Sequence, residues 1–90
     1  MRAKDDEGKL KVSLCPTGII RAVARVREFG VRKYGDKDNW KNVEKIRYVD
    51  AMLRHLLLYL DDPLALDEES GLPHLEHAAC NLAFLLEDYE

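Results

Sequence analysis

The segment 43–60 carries apolar residues on two opposite sides, and a helix of that kind has to be covered twice. Ile46, Val49, Leu53, Leu56, Leu57 and Leu60 recur at three- and four-residue spacing and form one continuous stripe. Tyr48, Met52, His55 and Tyr59 follow a second, half-apolar seam on the far side. The first stripe is expected to be the central core of the chain. The second is expected to meet another subunit, because three short helices leave little else to cover it. His55 then reads as an interface or packed histidine, or it joins the histidines further along. Asp50 and Arg54 stand four apart and are placed to pair, with Arg47 beside them.

Two more helices flank this one. Pro16 and Thr17 open the first, over 16–34. Ile19, Val23, Val26 and Gly30 share its apolar stripe, with Arg21, Arg25, Glu28 and Arg32 opposite. Gly30 either ends the helix or lets another backbone come close; if the helix continues it runs to Tyr34, and Gly35 is its stop. The third helix covers 73–86, after the turn residues Ser70 and Gly71 and with Pro73 in its first turn. Asp61-Asp62-Pro63 ends the middle helix. The expectation is an all-α fold with three main helices (16–34, 43–60, 73–86) in one helical domain, residues 1–90. A flexible or extended arm covers 1–12, and the tail 87–90 frays. Alternation from Lys9 to Leu14 allows one edge strand, with no partner strand in the sequence.

A chain of 90 residues buries little of its own surface, so a homo-oligomer is expected. Net charge is −3, which argues against a general duplex-nucleic-acid binder. Two distant cysteines, Cys15 and Cys80, imply no disulfide framework and no zinc motif. The N-terminus has no apolar run, and the run Leu56–Leu60 is too short to span a bilayer. A cytoplasmic protein with no membrane partner is the reading that follows.

The chemistry concentrates in 67–81. His74, His77 and Asn81 share one helix face, roughly 100–160° from the centre of the apolar stripe of Leu75, Ala78, Ala79, Leu82, Leu85 and Leu86. That face points at solvent, at a ligand or at a second subunit. A carboxylate upstream, Asp67, followed by His74-x-x-His77, fits a divalent-metal or nucleotide-phosphate site. The plainer alternative is helix capping by the acids and surface positions for the histidines. The single tryptophan, Trp40, lies in the polar loop 35–43, either as an anchor folded onto the core or as a platform for a planar ligand.

Several pieces in order carry a family resemblance: Phe29-Gly30-x-x-Lys33-Tyr34-Gly35, Asn39-Trp40, Tyr48-x-Asp50-Ala51-x-Leu53-Arg54-His55-Leu56, and Asp67-x-x-Ser70-Gly71-Leu72-Pro73-His74-x-x-His77-Ala78-x-x-Asn81. The series, from about 14 to 87, resembles a phage-encoded family of dATP/dGTP diphosphohydrolase-like N-terminal domains. The resemblance implies an all-helical fold, the cytoplasm of an infected or lysogenic bacterium, and a purine nucleotide as partner. It is also similar, distantly, to the all-α nucleotide pyrophosphohydrolases, which hold magnesium on Glu-x-x-Glu and Glu-x-x-Asp pairs. Here Asp50-x-x-x-Arg54-His55 and His74-x-x-His77 stand in those places, and histidine suits softer divalent ions than magnesium.

The site expected from residues and resemblance together has three parts. Asp67, His74 and His77 hold a divalent metal, Mg²⁺ or Mn²⁺. Asp50, Glu76 and His77 are the catalytic candidates. Lys33, Arg47 and Arg54 neutralise phosphate, Tyr34 and Trp40 stack on the base, and Asn39 and Asn81 complete the nucleotide contacts. The function expected is metal-dependent hydrolysis of dATP or dGTP. Two alternatives use the same residues differently: an oligomer that sequesters signalling nucleotides without chemistry, and a helical protein-interaction module.

Overall fold

The computed structural model describes residues 6–87. Three helices make the fold: α1 (Gly18–Tyr34), α2 (Lys45–Asp61) and α3 (His74–Leu86). Each boundary has a local cause. Thr17 precedes α1, and Gly35 ends it with φ +71° and its N–H on the Val31 carbonyl at 2.7 Å. Pro63 disfavours helical geometry at Asp62, which is extended at φ −152°, so α2 stops there. Pro73 sits just outside α3 with ψ 141°, and its carbonyl accepts from Glu76 N–H. Pro73 is therefore the cap rather than the first helical residue. The helix runs through Gly30 to Tyr34, and among the described residues an added Cβ there would meet Arg27 Nη1 at 3.6 Å and no backbone of another element within 4 Å.

The middle of the fold is α3. It packs on both α1 and α2, which touch one another less than either touches α3. Tyr48 meets Phe84 at 4.7 Å between ring centres and His55 meets His77 at 4.6 Å, so α2 and α3 run antiparallel. The loop before α2 contains a short 3-10 turn, Asn39–Asn42. Trp40 in that turn stacks on Phe84 at 4.8 Å and 14°, and its carbonyl accepts the Tyr48 hydroxyl at 2.7 Å. Trp40 is an anchor, as one of the two readings had it.

The seams of α2 are reversed relative to expectation. The seam of Tyr48, Met52, His55 and Tyr59 is half-buried. Tyr48 and His55 on it meet α3 directly. The leucine stripe expected as core is largely open, with Leu57 61% and Leu60 71% exposed. Among the described residues only one side of α2 has a partner helix. The Tyr48 hydroxyl and the His55 ring find hydrogen-bond partners on that side, so burying them leaves no polar atom unpaired. The His/Asn face of α3 is inverted in the same way. His74, His77 and Asn81 are buried, while Leu75, Leu82 and Leu86 are exposed.

The Lys9–Leu14 segment is not a strand. Val12–Leu14 forms a 3-10 turn, with Leu10, Val12 and Leu14 all exposed. Without a partner ladder its backbone groups turn on themselves, as Cys15 N–H does on the Val12 carbonyl. Among the described residues the single β-type pairing is an isolated bridge between Leu66 and Pro73. Of the expected arm, residues 1–5 lie outside the described residues, as do 88–90 of the expected tail.

A cleft floored by two histidines and a carboxylate

A cleft of roughly 760 Å³ opens between α1 and α2, with α3 at its base. One edge is the loop 66–73, which the Leu66–Pro73 bridge closes at the neck. Asp67 donates its N–H to the Leu72 carbonyl at 2.8 Å and accepts on its own carbonyl from Gly71 N–H at 2.8 Å. The second bond needs Gly71 at φ +73°, where a side chain is strained. The Asp67 carboxylate then folds back onto the turn. Its Oδ2 accepts from Glu69 N–H at 3.1 Å and Ser70 N–H at 2.9 Å. The loop backbone thereby fixes where the carboxylate points.

All three histidines of the chain meet beside it. His55 Nδ1 lies 2.9 Å from His74 Nδ1, and the His55 ring stacks on His77 at 12°. His77 Nε2 pairs with Ser70 Oγ at 2.6 Å and stands 3.9 Å from Asp67 Oδ2. Ser70 Oγ also accepts from Leu72 N–H at 3.1 Å, so its proton is directed to His77 when that nitrogen is unprotonated. Donor atoms of His55, Asp67 and His74 all fall within 4.8 Å of one another.

Burial, with the other imidazoles beside them, holds His55 and His77 below the ordinary histidine range, even against the pull of Asp67. Burial pushes the Asp67 carboxyl up, but the Ser70 backbone bond, the nearby His77 and the remaining loop hydrogen bonds together keep it below its usual range. At neutral pH the floor is thus two neutral imidazoles and a carboxylate. Cys80, also on the cleft, has its thiol pushed up to about 11 by burial and stays protonated.

The structure brings most of the expected site residues to this one cleft. Lys33, Tyr34, Asn39, Trp40, Arg47 and Arg54 line it, as do Asn81, Asp50, Asp67 and His77. Arg54 and Asp50 share the cleft, but among the described residues no ion pair joins them. Lys33 is tied to Glu69 at 2.5 Å and lies 5.2 Å over the Tyr34 ring. Asn81 gives its amide N–H to the His77 carbonyl at 2.9 Å. One face of Trp40 is taken by Phe84, whereas Tyr34 is 59% exposed.

Glu76 is not brought to the cleft. It makes a two-point pair with Arg25 of α1, at 2.9 and 2.7 Å, and Arg25 holds its carboxyl below the usual range. Its position on α3 is one residue from His77, and at ~100° per residue that turns it away from the histidine face. His74 lies behind the lining, buried against His55.

Three participants stand outside the site residues expected from sequence. The sequence leaves His55 between an interface seam and the group of His74 and His77, reads Ser70 as a turn residue and gives no role to Arg27 on the α1 wall. Signals existed for the first two. His55 falls in register with the aromatic seam, and Asp67-x-x-Ser70-Gly71 is the pattern of a side-chain-closed turn.

Fold and site together define a small all-α domain with an imidazole–carboxylate cleft rimmed by cationic and aromatic side chains. The chain belongs to the family of N-terminal domains of dATP/dGTP diphosphohydrolases, whose family model matches residues 1–90. It is 40% identical over 82 residues to a dATP/dGTP diphosphohydrolase of Salmonella phage PMBT28. That match covers 91% of this chain and 28% of the relative's length. No solved structure matches the chain. No helix among the described residues is long and apolar enough to cross a membrane.

Proposed function

We propose that the cleft binds a purine deoxynucleoside triphosphate and that this domain takes part in its hydrolysis to the monophosphate and diphosphate. The observation that carries the reading is the convergence of Lys33, Arg47, Arg54, Tyr34 and Asp50 on the same cleft as the Asp67–His77 floor. Its volume, roughly 760 Å³, is ample for a nucleotide. Arg47 and Arg54, on one face of α2, with Arg27 and Lys33 across the cleft, offset phosphate charge. Tyr34 offers an open ring to the base. Asp50 accepts a proton from the attacking water, in the general-base role. A divalent cation, when bound, would polarise a phosphoryl oxygen and lower the pKa of water at the floor.

The chain spans just over a quarter of the relative it matches, so the reaction of the whole protein is part of this proposal. Self-association belongs to it as well. What supports that is the leucine stripe of α2, open on the side away from α3.

The test is incubation of the purified protein with dATP, dGTP and a panel of cyclic nucleotides, with Mn²⁺ or Mg²⁺, and chromatography before and after heat denaturation. A monophosphate with diphosphate supports hydrolysis. A nucleotide that disappears and returns intact on heating replaces hydrolysis with sequestration. Nucleotides untouched and unbound under all conditions remove both.

A further inference from the structure

We infer that His55, Asp67 and His74 are the protein ligands of a divalent transition-metal ion at the floor of the cleft, with His77 and Ser70 orienting the set rather than binding the ion. This deepens the nucleotide reading, since it names the ion that a phosphate in the cleft would meet. It stands on separate geometry.

The first argument is the His55–His74 contact. Two Nδ1 atoms at 2.9 Å face each other, and a single shared proton has to lie between them. With metal–nitrogen bonds of about 2.1 Å at a right angle, two ligand nitrogens stand ~3.0 Å apart. The observed separation is therefore that of adjacent ligands around a six-coordinate ion. An ion entering there takes the place of the shared proton, which moves to the far nitrogen of its own ring, and both Nδ1 lone pairs turn onto the metal.

The second argument is the third ligand. A carboxylate oxygen of Asp67 lies within 4.8 Å of both histidine donor atoms. Both loop N–H bonds fall on Oδ2, so the turn fixes where the carboxylate points. The ligand is held by the turn, which is how metal-binding carboxylates are oriented by their neighbours.

The third argument excludes His77 from the ligand set. Its Nε2 is already taken by Ser70 Oγ at 2.6 Å, and its ring lies flat against His55. That stack sets the plane of His55, and Ser70, paired with His77 through Oγ, donates its own N–H to the Asp67 carboxylate. Removing His77 therefore loosens the ligands without removing one. The donor set of two imidazoles and one carboxylate suits Mn²⁺, Fe²⁺, Co²⁺ or Zn²⁺ better than Mg²⁺, which prefers oxygen. Three protein ligands leave coordination positions open, and two of the three, His55 and Asp67, line the cleft.

The experiment titrates the full chain with Co²⁺ alone and Mn²⁺ alone, by visible absorption and by electron paramagnetic resonance. Equilibrium dialysis supplies the stoichiometry. The expected result is one ion per chain. His55→Gln, His74→Gln and Asp67→Asn should each weaken binding by more than a hundredfold. His77→Gln should keep one ion per chain with affinity lowered about 10–100-fold. Circular dichroism of each variant separates lost ligands from lost fold. If the His55 variant does not fold, the wild-type cobalt complex decides, because two paramagnetically shifted imidazole ligands assigned to His55 and His74 are required. No bound ion at millimolar Co²⁺ and Mn²⁺ overturns the assignment. So does full binding by the His55 variant with none by the His77 variant. An ion bound without nucleotide turnover keeps the centre and removes hydrolysis. Turnover with Mg²⁺ alone and no Co²⁺ or Mn²⁺ binding does the reverse.

Discussion

Gly30 and Gly71 should respond to alanine with opposite signs, although a new methyl group has room at both. At Gly71 an added Cβ meets nothing within 4 Å, so sterics against neighbours contribute no cost. The cost is in the backbone: φ is +73°, a left-handed conformation that disfavours an L-residue by about 1–2 kcal/mol. At Gly30 the backbone is ordinary helix and the nearest atom, Arg27 Nη1, is at a comfortable 3.6 Å. Alanine there removes glycine's helix penalty, a gain of about 1 kcal/mol. For a domain of this size, 1 kcal/mol moves the melting temperature by about 4–8 °C. Gly71→Ala should therefore melt ~4–16 °C lower, and Gly30→Ala ~4–8 °C higher. Thermal denaturation followed by circular dichroism at 222 nm, with chelator present, measures both. A chemically synthesised chain with D-alanine at 71 supplies the control, since its preferred φ is positive and it should melt at or above the parent. Equal melting of the L- and D-alanine chains would refute the argument that the Asp67 turn depends on left-handed geometry.

Other outcomes follow from named contacts. Leu57→Lys should leave stability within about 0.5 kcal/mol, since the side chain is 61% exposed, and should shift sedimentation towards the monomer; unchanged sedimentation of a wild-type oligomer sinks the leucine-stripe interface. His55 and His77 have folded pKa values below the unfolded one, so the stability they contribute is complete above pH 6.5 and is lost as pH falls through their folded values. The melting temperature should drop between pH 7 and 5, and a flat profile in that window contradicts their burial as neutral rings. Glu76→Gln should keep nucleotide turnover, because Glu76 faces Arg25 outside the cleft; loss of turnover in a folded variant would restore it to the catalytic set. Exposed Cys15 should react quickly with a thiol reagent at pH 8, and Cys80 only after unfolding.

Helix positions were legible because they rest on local rules. Gly35, Pro63 and Pro73 each act on their own neighbours, and all three set boundaries within two residues of expectation. The cleft lining was legible too, since Lys33, Tyr34, Arg47, Asp50 and Arg54 needed only to sit on the right faces of two helices. What sequence periodicity misjudged was which side of α2 faces inward. Periodicity finds two seams but ranks them by hydrophobicity, and here the less hydrophobic seam is inside. Ranking them correctly requires knowing that Tyr48 finds a carbonyl at Trp40 and His55 finds His74. Those are contacts between distant positions, and no local window contains them. The same gap leaves both readings of His55 open in the sequence and hides the partner of Glu76. The pairing of Glu76 with Arg25 joins positions 51 apart.

Because α1 and α2 are each fastened to α3 and scarcely to one another, the domain is a spine with two separate arms. A nucleotide gripped by Arg47 and Arg54 on one arm and Lys33 on the other would act as a strut between them. At a hundred times its dissociation constant such a ligand adds about 2.7 kcal/mol. Most of that gain should go to the arms rather than the spine. Amide hydrogen exchange should then slow along α1 and α2 on binding and change little in α3, already the best-packed element. In this domain substrate would complete the tertiary structure as well as occupy it.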